Sequence, residues 1–98
     1  MIIVAGHLLV AASERSAYLD AVAQVAVLAR EFPGCHDFAQ SADPIDPERI
    51  NIFERWDDDE ALAAFRSSGS ADDETPTPTP DIIGADVARY RISAIESP

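Results

Sequence analysis

Lysine is absent from the sequence, and seven arginines stand against eighteen acidic residues, which gives a net charge of −11 over 98 residues. Nucleic-acid phosphates and anionic lipid headgroups bind to positively charged protein surfaces, which this composition does not supply. We therefore expect no nucleic-acid partner and no membrane partner. The excess of negative charge mainly favours solubility.

Cysteine and long apolar segments are also scarce. Cys35 is the single cysteine, so no disulfide forms within the chain, and a cytoplasmic location is expected. No apolar run approaches the roughly 20 residues of a membrane span. Residues 1–12 are apolar, but they lack a basic flank and contain Gly6 and His7, which favours a strand over a signal peptide. With two histidines and one cysteine outside any motif spacing, we expect no metal ion.

The apolar pattern of the first third predicts a strand followed by a helix. Residues 2–10 are rich in isoleucine, valine and leucine, which is typical of a buried strand. Ser13 is a candidate helix cap, and an apolar stripe then predicts a helix of about five turns that ends at Pro33-Gly34. The members of this stripe are Tyr18, Val22, Val25, Ala29 and Phe32.

The middle of the chain predicts a hairpin and a second helix. Strands at residues 35–42 and 49–56 are joined by a proline-containing connection that suits antiparallel neighbours. Asp57 and Glu60 have the spacing of a capping box, which predicts the start of a helix that continues through residues 61–65.

The last third changes in composition. Residues 67–81 are rich in serine, acidic residues and Thr-Pro repeats, and we expect them to form a flexible loop. Residues 86–95 predict a fourth strand. The order strand, helix, strand, strand, helix, strand is that of a ferredoxin-like βαββαβ fold of the α+β class, with the helices on one face of an antiparallel sheet. The length predicts one domain, residues 1–98.

Side chains alternate between the two faces of a strand, which assigns them to the helix side or the open side of the sheet. On the first strand, the open side receives Ile3, Ala5, His7 and Leu9. On the fourth strand, it receives Val87, Arg89, Arg91, Ser93 and Ile95, and the helix side receives Ala88, Tyr90, Ile92 and Ala94. On the third strand, the alternation separates Ile50, Ile52, Glu54 and Trp56 from Asn51, Phe53 and Arg55 without deciding which set is open.

The open side is mixed, and it predicts an interface. A bare apolar sheet face on the order of a few hundred Å² is unusual on a monomer, so we expect a homodimer. That interface is either filled, with buried ion pairs, or encloses a pocket. His7 is the one base near neutrality expected there, and Arg89 and Arg91 either hold an anion or pair with acids across the dimer.

Three short stretches carry a family resemblance: Pro33-Gly34-Cys35, Phe53-Glu54-Arg55-Trp56 and Glu60-Ala61-Leu62. In this order and spacing they resemble the antibiotic biosynthesis monooxygenase family, over residues 1–66 and 84–95. The resemblance implies a ferredoxin-like protomer whose dimer forms an α+β barrel with a pocket in each subunit. For some members it also implies oxygenation of quinols or anthrones without metal or flavin, so that no cofactor is expected.

The chain departs from two branches of this family. Anthrone oxygenases place an asparagine four residues before the third-strand tryptophan and a tyrosine six residues after it. This sequence has Ile52 and Leu62 there, so only Trp56 carries over. The haem-degrading branch uses a histidine on the second helix, where this chain has Phe65 and Arg66, which disfavours haem cleavage.

The sequence thus predicts a cofactor-independent monooxygenase that oxidises a small aromatic quinol, anthrone or polyketide with O₂. Its expected catalytic residues are His7 as base, Trp56 as stacking wall, and Arg89 or Arg91 as anion stabiliser. The expected pocket residues are Ile3, Ala5, Leu9 and Ile52. Two alternatives remain open: a non-catalytic dimeric module that binds small ligands, and an isomerase or lyase of the dimeric α+β barrel group.

Overall fold

A computed structural model describes residues 1–68 and 81–98 of the chain. Its elements, in chain order, are β1 (Ile2–Val10), a short 3₁₀ helix (Ala12–Glu14), α1 (Arg15–Glu31), β2 (Cys35–Ala42), β3 (Arg49–Trp56), α2 (Asp59–Ser67) and β4 (Ile82–Arg91). The four strands form one antiparallel sheet in the order β2-β3-β1-β4. This is the ferredoxin-like α+β fold that the order of the predicted elements indicated, and that prediction is confirmed.

The first three strands have the predicted bounds, whereas the fourth does not. β4 begins at Ile82 and ends at Arg91, four residues earlier at each end than the predicted strand at 86–95. Its limits follow from its partner, because Ile82 pairs with Val10 at the end of β1 and Arg91 pairs with Ile2 at its beginning. Beyond the strand, the backbone N–H of Ile92 still donates to the carbonyl of Met1. The sequence alone did not show this dependence on the length of β1.

Both helices begin differently from the prediction. Ser13 lies in the 3₁₀ helix and does not cap α1, which has no side-chain cap. The N-cap of α2 is Asp58, whose carboxylate accepts a hydrogen bond from the backbone N–H of Ala61 at 2.8 Å. The predicted capping box at Asp57 was therefore one residue early. The end of α1 is as predicted, since Gly34 follows it with a positive φ of 89°.

The core lies between the helices and one face of the sheet. Alternate residues of the two central strands point into it and are at most 9% exposed: Ile2, Val4, Leu8, Val10, Ile50, Ile52, Glu54 and Trp56. Ala29 of α1 and Leu62 and Phe65 of α2 pack against them. The position of the helices therefore decides the faces of β3, and the set that includes Glu54 lies on the helix side.

The faces of β4 are the reverse of the predicted ones. Residues opposite each other in an antiparallel pair share a face. Arg91, Arg89 and Val87 lie opposite Ile2, Val4 and Gly6, on the helix side, and Tyr90 and Ala88 lie opposite Ile3 and Ala5, on the open side. The prediction placed the apolar set against the helices. It was wrong because β4 is an uncovered edge strand, exposed along almost its whole length, where hydrophobicity does not report which side faces the helices.

The two arginines of β4 are anchored to α2. Arg89 donates to one carboxylate oxygen of Asp59 at 2.7 Å, and Arg91 donates to the other at 2.6 Å. The hydrogen bonds from Arg91, and then from Arg89, hold the pKa of Asp59 below its usual value. This bridge ties the edge strand to the start of α2.

Most of the predicted 67–81 loop lies outside the described residues. Ser67 is the last residue of α2 rather than part of a loop. Within residues 1–68 and 81–98, no helix combines the length and the apolar character that crossing a membrane requires.

Candidate active site

The expected site residues lie on two opposite faces of the sheet. Those on the open side are Ile3, Ala5, His7 and Leu9. Those on the helix side are Ile52, Trp56, Arg89 and Arg91. The single chamber that would bring all of them together is therefore not formed within one chain. The sheet itself separates the expected base from the expected stacking wall and anion stabilisers.

Trp56 is a core residue. Its side chain is 0% exposed, and its ring packs at centroid distances of 5.4 Å from Phe65 and 6.5 Å from Phe32. Within this chain, no face of the indole is free to stack on a ligand. Its indole N–H instead donates to a carboxylate oxygen of Glu54 at 3.0 Å.

A cleft of about 210 Å³ opens between the two helices and the helix side of the sheet. It is lined by Tyr18, Val22 and Val25 of α1, Phe38 and Gln40 of β2, Glu54 of β3, and Leu62, Phe65 and Arg66 of α2. The lining therefore presents polar and apolar surface in similar measure. Apolar side chains with convergent polar groups are the elements of a small-molecule site.

Glu54 is the buried acid of this cleft. It is 8% exposed and lies between Val4 and Phe38 on the neighbouring strands. Burial raises the pKa of its carboxyl above the usual value, and the hydrogen bond from Trp56 and the charge of Arg66 only partly oppose that shift. A carboxyl in such a place is a candidate functional group, because perturbed acids concentrate at active sites.

A second polar group lies at the β2 wall of the cleft. The hydroxyl of Tyr18 donates to the side-chain oxygen of Gln40 at 3.0 Å. Burial raises the pKa of Tyr18, with the hydrogen bond to Gln40 opposing the rise, so the phenol stays protonated at neutral pH. The pair can orient a polar substituent on a ring bound beside it.

The open side of the sheet is partly apolar and carries an unpaired donor. Phe53 and Tyr90 are 38% and 54% exposed there. The Nε of Arg55 is buried, yet it has no hydrogen-bond partner among the described residues. His7 lies between Asn51 and Asp86 on the adjacent strands.

Metal-ligating side chains do not gather at either face. In the described parts of the chain, no three histidine, cysteine or acidic side chains are close enough to hold a metal ion. The only histidines of the sequence are His7 and His36. His7 lies on the open side, and His36 contacts Asp57 at the surface, so neither lines the cleft.

A shallower surface depression of about 290 Å³ lies between Met1 and residues 92–95. Its lining has no acidic or basic side chain, since it consists of Met1, Ile92, Ser93, Ala94 and Ile95. Its side chains offer a bound molecule no carboxylate and no imidazole. The cleft on the helix side is therefore the better candidate for chemistry.

Three residues of the cleft were not among the predicted site residues: Glu54, Tyr18 and Gln40. A signal for Glu54 was present, because it is the one acid among the alternating positions Ile50, Ile52 and Trp56. A carboxylate in an otherwise apolar row is costly unless it has a function or a partner. For Tyr18 and Gln40 no signal existed, because their contact joins positions 22 residues apart.

Several solved structures share this fold. The haem-degrading protein MhuD from Mycobacterium tuberculosis, solved with two haems in its active site, is 18% identical with a TM-score of 0.71; the match covers 99% of this chain and 100% of that one. A candidate antibiotic biosynthesis monooxygenase from Deinococcus radiodurans is 19% identical with a TM-score of 0.78, over 99% and 97% of the chains. A further candidate from Chloroflexus aurantiacus is 23% identical with a TM-score of 0.75, over 98% and 96%. At these identities the likeness shows the fold.

The sequence provides the evidence for the family. No curated protein matches the chain significantly. The family model described as antibiotic biosynthesis monooxygenase matches residues 1–73, which is well over half of the 98 residues. This match confirms the resemblance carried by the motifs around Cys35, Trp56 and Leu62. The chain belongs to the antibiotic biosynthesis monooxygenase family.

Proposed function

We propose that this protein is a cofactor-independent monooxygenase that oxidises a small aromatic quinol or related phenol with O₂ in the cleft on the helix side. The observation that carries the proposal is the composition of that cleft. Its half-open lining combines apolar and aromatic side chains with a buried carboxylate, Glu54, and the hydrogen-bonded pair of Tyr18 and Gln40. Family membership supports the same class of reaction.

The proposed reaction needs no redox group on the protein, because the substrate anion itself reduces O₂. A quinol that loses its hydroxyl proton becomes an anion that is electron-rich enough to pass one electron to O₂. The two radicals combine into a C–O bond, and return of the proton gives a hydroperoxide. Loss of one water from the hydroperoxide leaves a hydroxyquinone. The protein has to bind the ring, accept and return a proton, and keep bulk water away.

The volume of the cleft is sufficient for a single aromatic ring. An apolar protein cavity of about 150 Å³ holds benzene. The cleft, at about 210 Å³, has room for one ring with its hydroxyl groups. A monocyclic quinol is therefore the first substrate to test.

Haem does not fit the residues of this cleft. Haem iron is held by a histidine, cysteine, methionine or tyrosine ligand. The cleft offers only Tyr18, which keeps its proton and is engaged with Gln40. The two haems of MhuD are therefore not carried over to this chain, although the folds are alike.

The test is O₂ consumption with monocyclic quinols, compared between two variants of α1. Val22→Phe fills the cleft, because Val22 lines it. Val27→Phe makes the same change on the outer side of the helix, where Val27 is 55% exposed. We expect Val22→Phe to lose at least about tenfold in kcat/KM and Val27→Phe to match the wild type.

The other outcomes discriminate the alternatives. Thermal stabilisation by quinols without O₂ uptake would contradict turnover and favour a non-catalytic ligand-binding module. Turnover that continues without O₂ would favour an isomerase or lyase. Equal rates in Val22→Phe and Val27→Phe would remove the reaction from the cleft.

We further propose that the open side of the sheet is a homodimer interface in a cytoplasmic protein. The exposed rings of Phe53 and Tyr90 support it, because large exposed apolar side chains on one face of a sheet are typical of an interface. On this proposal His7, Ile3, Ala5 and Leu9 are interface residues, and Arg89 and Arg91 serve the anchor at Asp59 rather than the cleft.

The interface is tested by sedimentation at micromolar concentration. Phe53→Asp puts a charge at the centre of the open side and is expected to give a folded monomer, weakening association by at least about 100-fold. Val27→Asp introduces the same charge on α1 and is expected to remain a dimer. A wild-type chain that sediments as a folded monomer would remove the interface from the proposal.

A further inference from the structure

We propose that Glu54 is the group that accepts the hydroxyl proton of the aromatic ligand in the cleft, and that Trp56 positions it. This inference rests on the proposed function, which it deepens by naming the proton acceptor. It replaces His7 in that role, because His7 lies on the opposite face of the sheet.

The geometry leaves one oxygen of Glu54 free for a ligand. Its Oε1 accepts the indole N–H of Trp56 at 3.0 Å, which fixes the orientation of the carboxylate. Its Oε2 accepts no hydrogen bond from a described residue, and the side chain lines the cleft. A ring hydroxyl that enters the cleft can therefore meet an acceptor that is already oriented.

Among the described side chains around Glu54, no other one is ready to accept a proton at neutral pH. Arg66 of α2 is the nearby positive charge, and Val4 of β1 contributes none. Tyr18 of α1 and Cys35 of β2 are both neutral, since burial raises the pKa of each. Arg66 also lines the cleft, where its charge favours a phenolate over a phenol.

The proton transfer balances within the site. The ligand O–H bond breaks and an O–H bond forms on Oε2, so the negative charge moves from the carboxylate to the ligand oxygen. In the oxygenation, the anion passes one electron to O₂ and the radicals combine into a peroxide anion. Glu54 then returns its proton to the peroxide oxygen and is a carboxylate again.

A carboxylate at this buried position does not stabilise the fold once it is ionised. A carboxyl whose folded-state pKa is raised stabilises the fold below its unfolded pKa, and that contribution is lost as the pH rises through the folded pKa. Above its folded-state pKa, the ionised form of Glu54 therefore works against folding. Glu54→Gln keeps an oxygen for Trp56, removes the charge, and is expected to melt at a higher temperature at neutral pH.

The ligand test needs no turnover. p-Cresol and toluene differ by one hydroxyl, and both are single rings. We expect the wild type to bind p-cresol at least about tenfold more tightly than toluene at neutral pH, and Glu54→Gln to lose that difference. Glu48→Gln, the same change at an exposed glutamate in the turn before β3, is the control and is expected to behave as the wild type.

The kinetic test uses the same variants with a quinol that the wild type oxidises. Glu54→Gln is expected to lose about 100-fold or more in kcat, and with it the fall in rate on the acid side of the pH profile. Trp56 is the single tryptophan, so its fluorescence in the wild type should titrate with Glu54, with a midpoint above the ordinary 4.5. Glu54→Gln should show no such titration.

The outcomes separate this inference from the monooxygenase proposal. If the wild type oxidises quinols and Glu54→Gln does so equally well, Glu54 is not the acceptor and the monooxygenase stands. If the wild type oxidises none, yet its preference for p-cresol disappears in Glu54→Gln, the monooxygenase is withdrawn and Glu54 remains the hydroxyl acceptor. A wild type that binds p-cresol no better than toluene overturns the role of Glu54.

Discussion

Gly6→Ala is expected to destabilise the protein by about 3 kcal/mol or more and to lower its melting temperature by roughly 10–20 °C. Gly6 has a φ of +150°, and a Cβ placed on it would lie 1.9 Å from the carbonyl oxygen of Asp86 and 2.7 Å from the Cα of Val87. Both are backbone atoms of the paired strand. The clash therefore cannot be relieved by rotating a side chain, and β1 and β4 would have to move apart.

Gly84→Ala is the matched control for this result. Gly84 lies on the other strand of the same pair, and a Cβ there would meet the side chain of Leu9 at 3.3 Å. A side-chain end can move aside, so a loss of less than about 1 kcal/mol is expected. Thermal unfolding followed by circular dichroism measures both variants. A Gly6→Ala protein as stable as Gly84→Ala would contradict the close approach of β1 and β4.

Local patterns in this sequence were sufficient for the elements that the core covers. The bounds of β1, β2 and β3 follow from runs of apolar and β-branched residues, and Pro33-Gly34 marks the end of α1. Local patterns were insufficient at β4, because the sequence does not show that the helices leave this strand uncovered. There the apolar side chain of Tyr90 faces the open side, and charged Arg89 faces the helices.

The candidate site could not be predicted from the alternation of side chains along the strands, because that alternation does not show which face of the sheet the helices cover. The alternation placed Glu54 and Trp56 on one face of β3 but could not say which layer covered that face. The motif resemblance indicated the family. The cleft itself forms because the two helices pack on the face of β3 that carries Glu54 and Trp56. The alternation alone therefore favoured His7 as the base, because it is the histidine assigned to the open side. The burial of Glu54 follows from the packing of the helices on the sheet, which the sequence alone does not show.

Truncation of Trp56 should have the second large effect, and two variants separate its two roles. Trp56→Ala removes a side chain that is 0% exposed and that packs on Phe65 and Phe32, which costs about 3–5 kcal/mol for an aromatic residue in a core. A small domain has only about 5–15 kcal/mol in total, so this variant should be largely unfolded at 37 °C or melt far below the wild type. Thermal and urea unfolding measure the loss.

Trp56→Phe keeps most of the packing but removes the indole N–H that holds Glu54. Because that hydrogen bond lowers the pKa of Glu54, its loss should raise the pKa further. The acid limb of the kcat profile should then move to higher pH, and the stability lost as the pH rises through that pKa should grow. If Trp56 acts through Glu54, combining Trp56→Phe with Glu54→Gln should slow turnover no more than Glu54→Gln alone. A residue that only positions a carboxylate has no further effect on kcat once that carboxylate is removed. Additive losses in kcat would therefore show that the indole contributes to catalysis by another route.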